Sequence, residues 1–182
     1  MSNIVFIADF FADQVPGGGE LNNEELILFL QQNHHNVKKL NSHKCNITLL
    51  QGLPDDTRFV VANFINLSEE CKNVLKKDKK YVIYEHDHKY IKTRNPAEYQ
   101  GFIAPKEHII NYDFYKNAIA IFCQSEFHAD IVKSNLKLEN IQNLGGNLWS
   151  DTILTLIKEI STIEKSPTYA IMNSKNWHKN TT

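Results

Sequence analysis

The sequence is poor in cysteine and glycine, and neither sign of charge is in clear excess. Its 3 cysteines, Cys45, Cys71 and Cys123, are far apart and form no C-x-x-C pair. This spacing argues against a disulfide framework and a cysteine metal site, and it suits a reducing compartment. The 20 lysines and arginines against 21 aspartates and glutamates give no support to a nucleic-acid partner.

Long hydrophobic runs are also missing. No apolar stretch approaches the roughly 20 residues that span a bilayer, so we expect no transmembrane segment. The first 13 residues lack a basic leader and carry Asp9 within their apolar run, unlike a secretory signal. We therefore expect a cytoplasmic protein, and its 182 residues suffice for one well-buried domain but are short for two.

Short runs rich in valine, isoleucine, phenylalanine and tyrosine recur along the chain. They cover residues 3–8, 47–50, 58–64, 80–84, 118–123, 141–144 and 168–172. Most are continuous rather than alternating, as in strands that are buried on both faces of a parallel sheet.

Helical signals lie between several of these runs. Residues 20–33 have an apolar face made of Leu21, Leu26, Leu28, Phe29 and Leu30. Three other helices are predicted to begin at the N-caps Ser68, Ser125 and Ser150, and Ser125 suits a cap far better than a nucleophile. The alternation predicts an α/β protein with a Rossmann-like, doubly wound, mainly parallel sheet and helices on both faces.

A glycine-rich stretch, Asp13-Gln14-Val15-Pro16-Gly17-Gly18-Gly19-Glu20, separates the first predicted strand from the first helix. It fits neither the dinucleotide fingerprint, whose glycines follow the strand closely, nor the P-loop, which ends in Gly-Lys-Ser/Thr. Two interpretations stay open at this point: an anion site at a helix N-terminus or a plain turn.

Four ionisable residues, Glu85, His86, Asp87 and His88, follow a buried strand and begin a long irregular segment, residues 85–110. We expect none of them to belong to the core. A polar substrate site and a solvated loop are both open. A metal site is less favoured, because side chains at a strand end point in alternating directions and no distant third ligand is evident.

Arg94 follows in the same segment, before Asn95 and Pro96. Its guanidinium could bind a carboxylate or phosphate in bidentate fashion, helped by Lys89 and Lys92; the alternative is a surface turn.

Taken in order along the chain, these motifs resemble the N-terminal domain of GT-B glycosyltransferases, in particular the retaining family-4 type. That family has a first strand followed by a Gly-Gly loop with an acidic residue, as in Pro16-Gly17-Gly18-Gly19-Glu20. A later strand ends in a histidine loop, as in Tyr84-Glu85-His86, and another runs into a helix start like Gln124-Ser125-Glu126-Phe127. The segments EHDHKY and RNP are most similar to phage or marine-microbe forms.

The resemblance implies two Rossmann-like domains facing a cleft, of which this one binds the acceptor. It implies that Gly17, Gly18, Gly19 and Glu20 lie at the diphosphate of the nucleotide-sugar donor and that His86 is the catalytic residue. This resemblance favours the polar substrate site over the solvated loop, and Glu85, Asp87, His88 and Arg94 are therefore predicted to bind substrate. Neither a metal nor another cofactor is expected, because helix N-termini and basic residues neutralise the leaving diphosphate.

Residues 1–165 would thus form the N-terminal domain, and residues 166–182 a linker and the start of a truncated second domain. The paired-glutamate motif and the basic clamp of the family belong to that second domain. We therefore expect sugar transfer to a glycan, lipid or protein acceptor only when a C-terminal domain is joined in cis. The alternative is a non-catalytic glycan- or nucleotide-binding Rossmann-like module.

Overall fold

Six parallel strands form the sheet at the centre of residues Met1–Leu148, one of the two units into which the chain divides. In this computed structural model, which describes residues 2–168, the strands are β1 (Asn3–Ala8), β2 (Asn36–Asn41), β3 (Arg58–Val61), β4 (Lys80–Glu85), β5 (Ile121–Cys123) and β6 (Ile141–Asn143). Their order is β2-β1-β3-β4-β5-β6. The predicted α/β, Rossmann-like class is confirmed.

This strand order has a switch point between β1 and β3, because the chain winds toward one edge from β1 to β2 and toward the other edge from β3 onward. The loops that leave the carboxyl ends of these two strands diverge to opposite sides. In doubly wound folds the crevice between them is where ligands bind.

Helices cover both faces of the sheet. They are α1 (Gly18–Gln32), α2 (Ile47–Gly52), α3 (Glu69–Asp78), α4 (Tyr112–Lys116) and α5 (Glu126–Leu136). Helix α1 contributes Ile27 to the cluster around Phe6 and Tyr84, and the other four helices pack around Ile7 and Ile83 on the opposite face. In residues 2–168 no helix has the length and apolarity needed to cross a bilayer.

The remaining unit, Trp149–Thr182, contains α6 (Asp151–Ser161). Helices α3, α5 and α6 begin at the predicted caps: the hydroxyls of Ser68, Ser125 and Ser150 each accept a hydrogen bond from the backbone N–H three residues later. The strand expected at 168–172, and the start of a second domain expected at 166–182, lie outside the described residues apart from positions up to 168.

Residues 47–50, predicted as a strand, lie in helix α2 instead, where the Asn46 side chain accepts a hydrogen bond from the Leu49 N–H at 2.9 Å. The strand that was not predicted from the sequence is β2, and two residues in the middle of it, Lys38 and Lys39, are exposed. A strand at the edge of a sheet tolerates such charges, so it has no continuous apolar run by which to recognise it.

The predicted apolar face of α1 is wrong for three of its five residues, although Leu26 packs against the cluster around Phe6. Leu21, Leu28 and Phe29 are exposed, whereas the helix buries Asn22 and Asn23 together with Ile27. An uncompensated buried amide is costly, so this orientation requires hydrogen-bond partners, and polar side chains at the ends of β4 and β5 supply them.

The segment between β4 and α4 is irregular, as predicted. It contains three short 3-10 turns, at Pro96–Glu98, Gln100–Phe102 and Lys106–His108, and a single antiparallel bridge between Ile91 and Ile109. Tyr90 and Ile91 are fully buried, so the segment is anchored to the core near its beginning.

Asp9 connects the loops at the switch point through hydrogen bonds. Its carboxylate accepts hydrogen bonds from the backbone N–H groups of Ile65 and Asn66, both at 3.0 Å, and from the hydroxyl of Ser42. One buried side chain at the end of β1 thus holds the loops that follow β2 and β3.

We expect Asp9→Asn to lower the free energy of unfolding by about 2 kcal/mol, because the new amide NH₂ group would face donors that the carboxylate now satisfies. Urea denaturation measures the change. The matched control is Asp13→Asn, since Asp13 is an exposed residue of the following loop and its substitution should change stability by less than about 0.5 kcal/mol. Equal losses in the two variants would contradict this role for Asp9.

Candidate functional site

Polar side chains from four parts of the chain converge at the carboxyl ends of β3, β4 and β5, beside the first turn of α1. We call this set the glycine-side site. It consists of Gly17, Gly18, Gly19, Glu20, Asn22, Asn23, Asn63, Tyr84, His86 and Gln124.

The glycines form the edge of this site. Gly17 is the N-cap of α1 with φ −90° and ψ 159°, so its backbone conformation is open to any residue. A Cβ atom added to Gly19 would lie 3.8 Å from Cγ of His86 and 3.9 Å from Nδ2 of Asn63, whereas one added to Gly18 would meet no described atom within 4 Å. The structure therefore brings the glycine loop and His86 together, with open space over Gly18.

His86 lies at the centre of a hydrogen-bond network. Its Nε2 is 2.8 Å from Oδ1 of Asn23, and its Nδ1 is 2.5 Å from Nε2 of Gln124. Because the Gln124 amide nitrogen is a donor, Nδ1 accepts and Nε2 carries the hydrogen. Burial, assisted by the charge of Lys89, lowers the pKa of His86 to about 4. The ring is therefore neutral at pH 7, with both nitrogens engaged.

Asn22 links the same network to the sheet. Its Oδ1 accepts hydrogen bonds from the Tyr84 hydroxyl and, at 3.4 Å, from the Gln124 amide. Its Nδ2 donates to the carbonyl oxygen of Leu148 at 3.0 Å. These contacts explain why α1 turns its asparagines rather than its leucines toward the strand ends.

Two amide atoms of the site have no partner among the described residues: Nδ2 of Asn23 and Oδ1 of Asn63. The other end of the Asn63 amide donates to Oε1 of Glu20 at 3.1 Å. Leaving a buried polar atom without a partner costs about 1–3 kcal/mol. An uncharged donor and an uncharged acceptor in one site are matched by a ligand hydroxyl, which can both accept and donate.

Glu85 faces away from this site and belongs to the core, so the expectation that none of the four ionisable residues is buried is wrong. It is fully buried and accepts hydrogen bonds from the Tyr115 hydroxyl and from the Asp87 N–H at 2.9 Å, and its Oε1 lies 3.5 Å from Nζ of Lys89. Burial opposes its ionisation, but the charge of Lys89 and the Tyr115 hydroxyl outweigh it and hold the pKa of Glu85 at about 2.

The other predicted substrate-binding residues are not gathered at the glycines. Asp87 is exposed, and its carboxylate is 3.6 Å from Nζ of Lys89. The His88 ring packs on His128 with a centroid distance of 4.4 Å, and burial lowers the pKa of His88 to about 4. Arg94 lines a separate cavity. Over residues 2–168, no cluster of three or more His, Cys, Asp or Glu side chains could hold a metal ion.

Sequence reasoning missed the amides of the site. The available signal was the pair Asn22-Asn23 in the first turns of a helix, where asparagine is a poor helix former. Asn63 and Gln124 each follow the end of a buried strand, so their position at the ligand-binding edge of the sheet could have been inferred from the fold alone.

Comparisons with known proteins found similarity among solved structures alone. No protein-family model matches the chain, and no curated protein matches it. Among solved structures it is similar to an alpha-glucosyltransferase in complex with UDP and a 13-mer DNA containing a central A:G mismatch, with 14% sequence identity and a TM-score of 0.47. The match covers 79% of this chain and 40% of that chain, so it spans about two fifths of the glucosyltransferase's length.

Acid should destabilise the protein through His86. Its pKa is about 4 in the folded state and 6.5 in the unfolded reference, so the unfolded chain binds the additional proton as pH falls through this interval. The contribution of the neutral His86 ring to the free energy of unfolding is fully present above pH 6.5 and declines toward pH 4. Between pH 7.5 and 5 this residue should account for a loss of about 2 kcal/mol, measured by urea denaturation at both values.

The test variant is His86→Gln, whose amide cannot titrate in this range but can still donate to Asn23 and accept from Gln124. It should show a smaller loss of stability on acidification than the unmodified protein. His43→Gln is the control, because His43 is exposed. An unchanged pH dependence in His86→Gln would contradict the assignment.

Proposed function

We propose that the chain is the acceptor-side domain of a glycosyltransferase, which transfers a sugar from a nucleotide-sugar donor when joined to a C-terminal donor-binding domain. The observation that carries the proposal is the pair of amide atoms, on Asn23 and Asn63, that have no partner among the described residues and lie in an amide-rich, partly buried site beside a glycine-edged helix N-terminus. Amides suit the hydroxyls of a sugar, and free N–H groups suit a diphosphate.

In this proposal the donor diphosphate approaches the first turn of α1. Gly17, the N-cap, has no side chain that could occupy the first N–H groups of the helix, and open space over Gly18 leaves room for an oxygen atom to reach the backbone. Glu20, whose carboxylate is held by Asn63, would accept hydrogen bonds from hydroxyls of the donor. Its negative charge suits hydroxyls and not phosphate oxygens, and its Oε2 lies where a Cβ atom on Gly17 would be, so the diphosphate would lie nearer to Gly18 and Gly19.

His86 would contact the transferred sugar near the reacting centre. Because its ring is neutral at pH 7 and engaged at both nitrogens, it would orient the sugar and the amides of Asn23 and Gln124 without storing a proton. The electrostatic stabilisation of the leaving diphosphate would then come from the helix N-terminus and from the second domain, without a metal ion.

The finer parts of the proposal come from the sequence motifs. They are retention of anomeric configuration, the family-4 type, a phage or marine-microbe relationship, a cytoplasmic location, and an acceptor that is a glycan, a lipid or a protein. Glu85 would act from the core as a positioning residue, and Asp87 and His88 would bind the acceptor.

A second candidate function is a non-catalytic glycan- or nucleotide-binding module. One observation favours it: both nitrogens of His86 are already hydrogen-bonded within the chain, as in a site that holds a ligand without proton transfer. Such a module would bind a nucleotide-sugar and release no nucleoside diphosphate.

The central test is Gly18→Val in the native gene product. We expect at least a tenfold loss of nucleoside diphosphate release from UDP-glucose or GDP-mannose, because the new side chain would occupy the space over the loop. The melting temperature should be retained, since a Cβ atom at this position meets no described atom within 4 Å and valine is a better helix former than glycine.

Gly52→Val is the matched control, because Gly52 ends α2 and a Cβ there also meets no described atom within 4 Å. It should keep full activity. Binding without release in the unmodified protein would favour the module. Equal activity in Gly18→Val and Gly52→Val would contradict the proposed glycine site.

A further inference from the structure

A cavity of about 750 Å³ lies on the face of the sheet opposite α1, and its walls are rich in positive charge. We call it the basic cavity. Five cationic side chains line it: Lys72 and Lys76 from α3, and Lys89, Lys92 and Arg94 from the segment after β4. Glu69 and Asp113 are the acidic residues of its lining.

Two of the lysines, Lys72 and Lys89, have buried side chains with polar partners inside the protein. Lys72 is almost fully buried and donates to Oε1 of Glu69 at 2.7 Å and to Oδ1 of Asn111 at 2.9 Å. Lys89 is buried beside Glu85. Both ammonium groups lie over the ring of Phe64, at 5.6 and 5.7 Å from its centroid. These contacts fix one wall of the cavity and compensate the buried charges.

The other three cations have no such compensation. Lys76, Lys92 and Arg94 form no ion pair with any residue in the described part of the chain. Glu69 is already paired with Lys72, which leaves Asp113 as the remaining acidic side chain of the lining. Three like charges around one concave space produce a positive potential, and a bound anion relieves it.

We propose that the basic cavity binds the phosphate group of a phosphorylated small molecule. A phosphate monoester carries about −1.5 to −2 charges at pH 7, which matches the uncompensated cations better than a single carboxylate does. Arg94 supplies a planar fork for two phosphate oxygens, and Lys76 and Lys92 act as point charges.

The size and composition of the cavity indicate that the ligand is more than the ion. Its volume falls in the range of small-molecule sites, about 300–1,000 Å³. Apolar and aromatic side chains, among them Ile65, Ile110 and Tyr112, line it beside the charges, so an organic group attached to the phosphate has surface to contact. The proposal stands on the residues of this cavity and does not require the proposed sugar transfer.

Calorimetric titration with glucose 6-phosphate tests the proposal, and glucose serves as the probe without phosphate. We expect binding of the phosphate ester and none of glucose at the same concentration. Arg94→Gln and Lys92→Gln should each weaken binding at least tenfold while the melting temperature stays unchanged, because both residues are exposed and unpaired within the described chain.

The matched control is Arg58→Gln, which removes the same charge at the amino end of β3, the opposite edge of the sheet. Arg58→Gln should bind glucose 6-phosphate as tightly as the unmodified protein does. Equal losses in Arg94→Gln and Arg58→Gln would overturn the proposal, and so would the absence of phosphate-dependent binding both in this titration and with vesicles.

A second arm identifies the source of the phosphate, since a lipid headgroup carries the same chemistry. Phosphatidylcholine vesicles with and without phosphatidic acid are sedimented with the protein. Sedimentation that requires phosphatidic acid and is lost in Arg94→Gln supports the site with a lipid as its source. Binding of glucose 6-phosphate without sedimentation supports a soluble ligand. If the protein binds neither glucose 6-phosphate nor the vesicles, the proposed site is refuted.

Discussion

The buried carboxylate of Glu85 is the constraint on which both sites depend. It ends β4 with no exposed surface and accepts hydrogen bonds from the Tyr115 hydroxyl and from backbone, with the Lys89 ammonium 3.5 Å away. Removal of one partner from a buried charge pair costs about 3–5 kcal/mol. Such a cost fixes the path of residues 85–89, where the chain leaves the sheet.

The alternation of side chains along a strand then separates two chemistries. Tyr84 and His86 face α1 and join its asparagines, whereas Glu85, between them, faces the other helices. The same short stretch thus contributes to an amide-lined site on one face and, through Lys89, to a cationic cavity on the other. In the two proposals, the amides would select ligands by the geometry of their hydroxyls, and the basic cavity would select them by charge.

Much of the fold could be predicted from the sequence, because continuous apolar runs and serine caps are local signals. Strand β2 could not, since an edge strand needs little apolar surface. Helix α1 was placed correctly, but its orientation was wrong: the burial of Asn22 and Asn23 depends on Tyr84, His86 and Gln124, which are distant in sequence. Such a departure from hydrophobic periodicity is expected where a fold builds a functional site.

The candidate site was predictable only in part, for the same reason. The proximity of Gly19 and His86 follows from the carboxyl-end rule of doubly wound sheets and could be expected once the strands were recognised. The basic cavity could not be assembled, because Lys72 and Lys76 lie on α3 and reach the segment of Arg94 only through the packing of α3 and α4 beside β4. The sequence shows each charged residue, but it does not show that these residues lie close together in the folded protein.

The most direct measurement is an NMR titration of the ¹⁵N-labelled native gene product with UDP-glucose, because the proposed function requires a donor-binding domain in cis. The central claim is that the glycine-side site receives the nucleotide-sugar. It predicts saturable shifts of the amides of Gly17, Gly18, Gly19 and Glu20 and of the side-chain amides of Asn23 and Asn63. Shifts confined to the residues of the basic cavity, or no saturable shift at all, would contradict it.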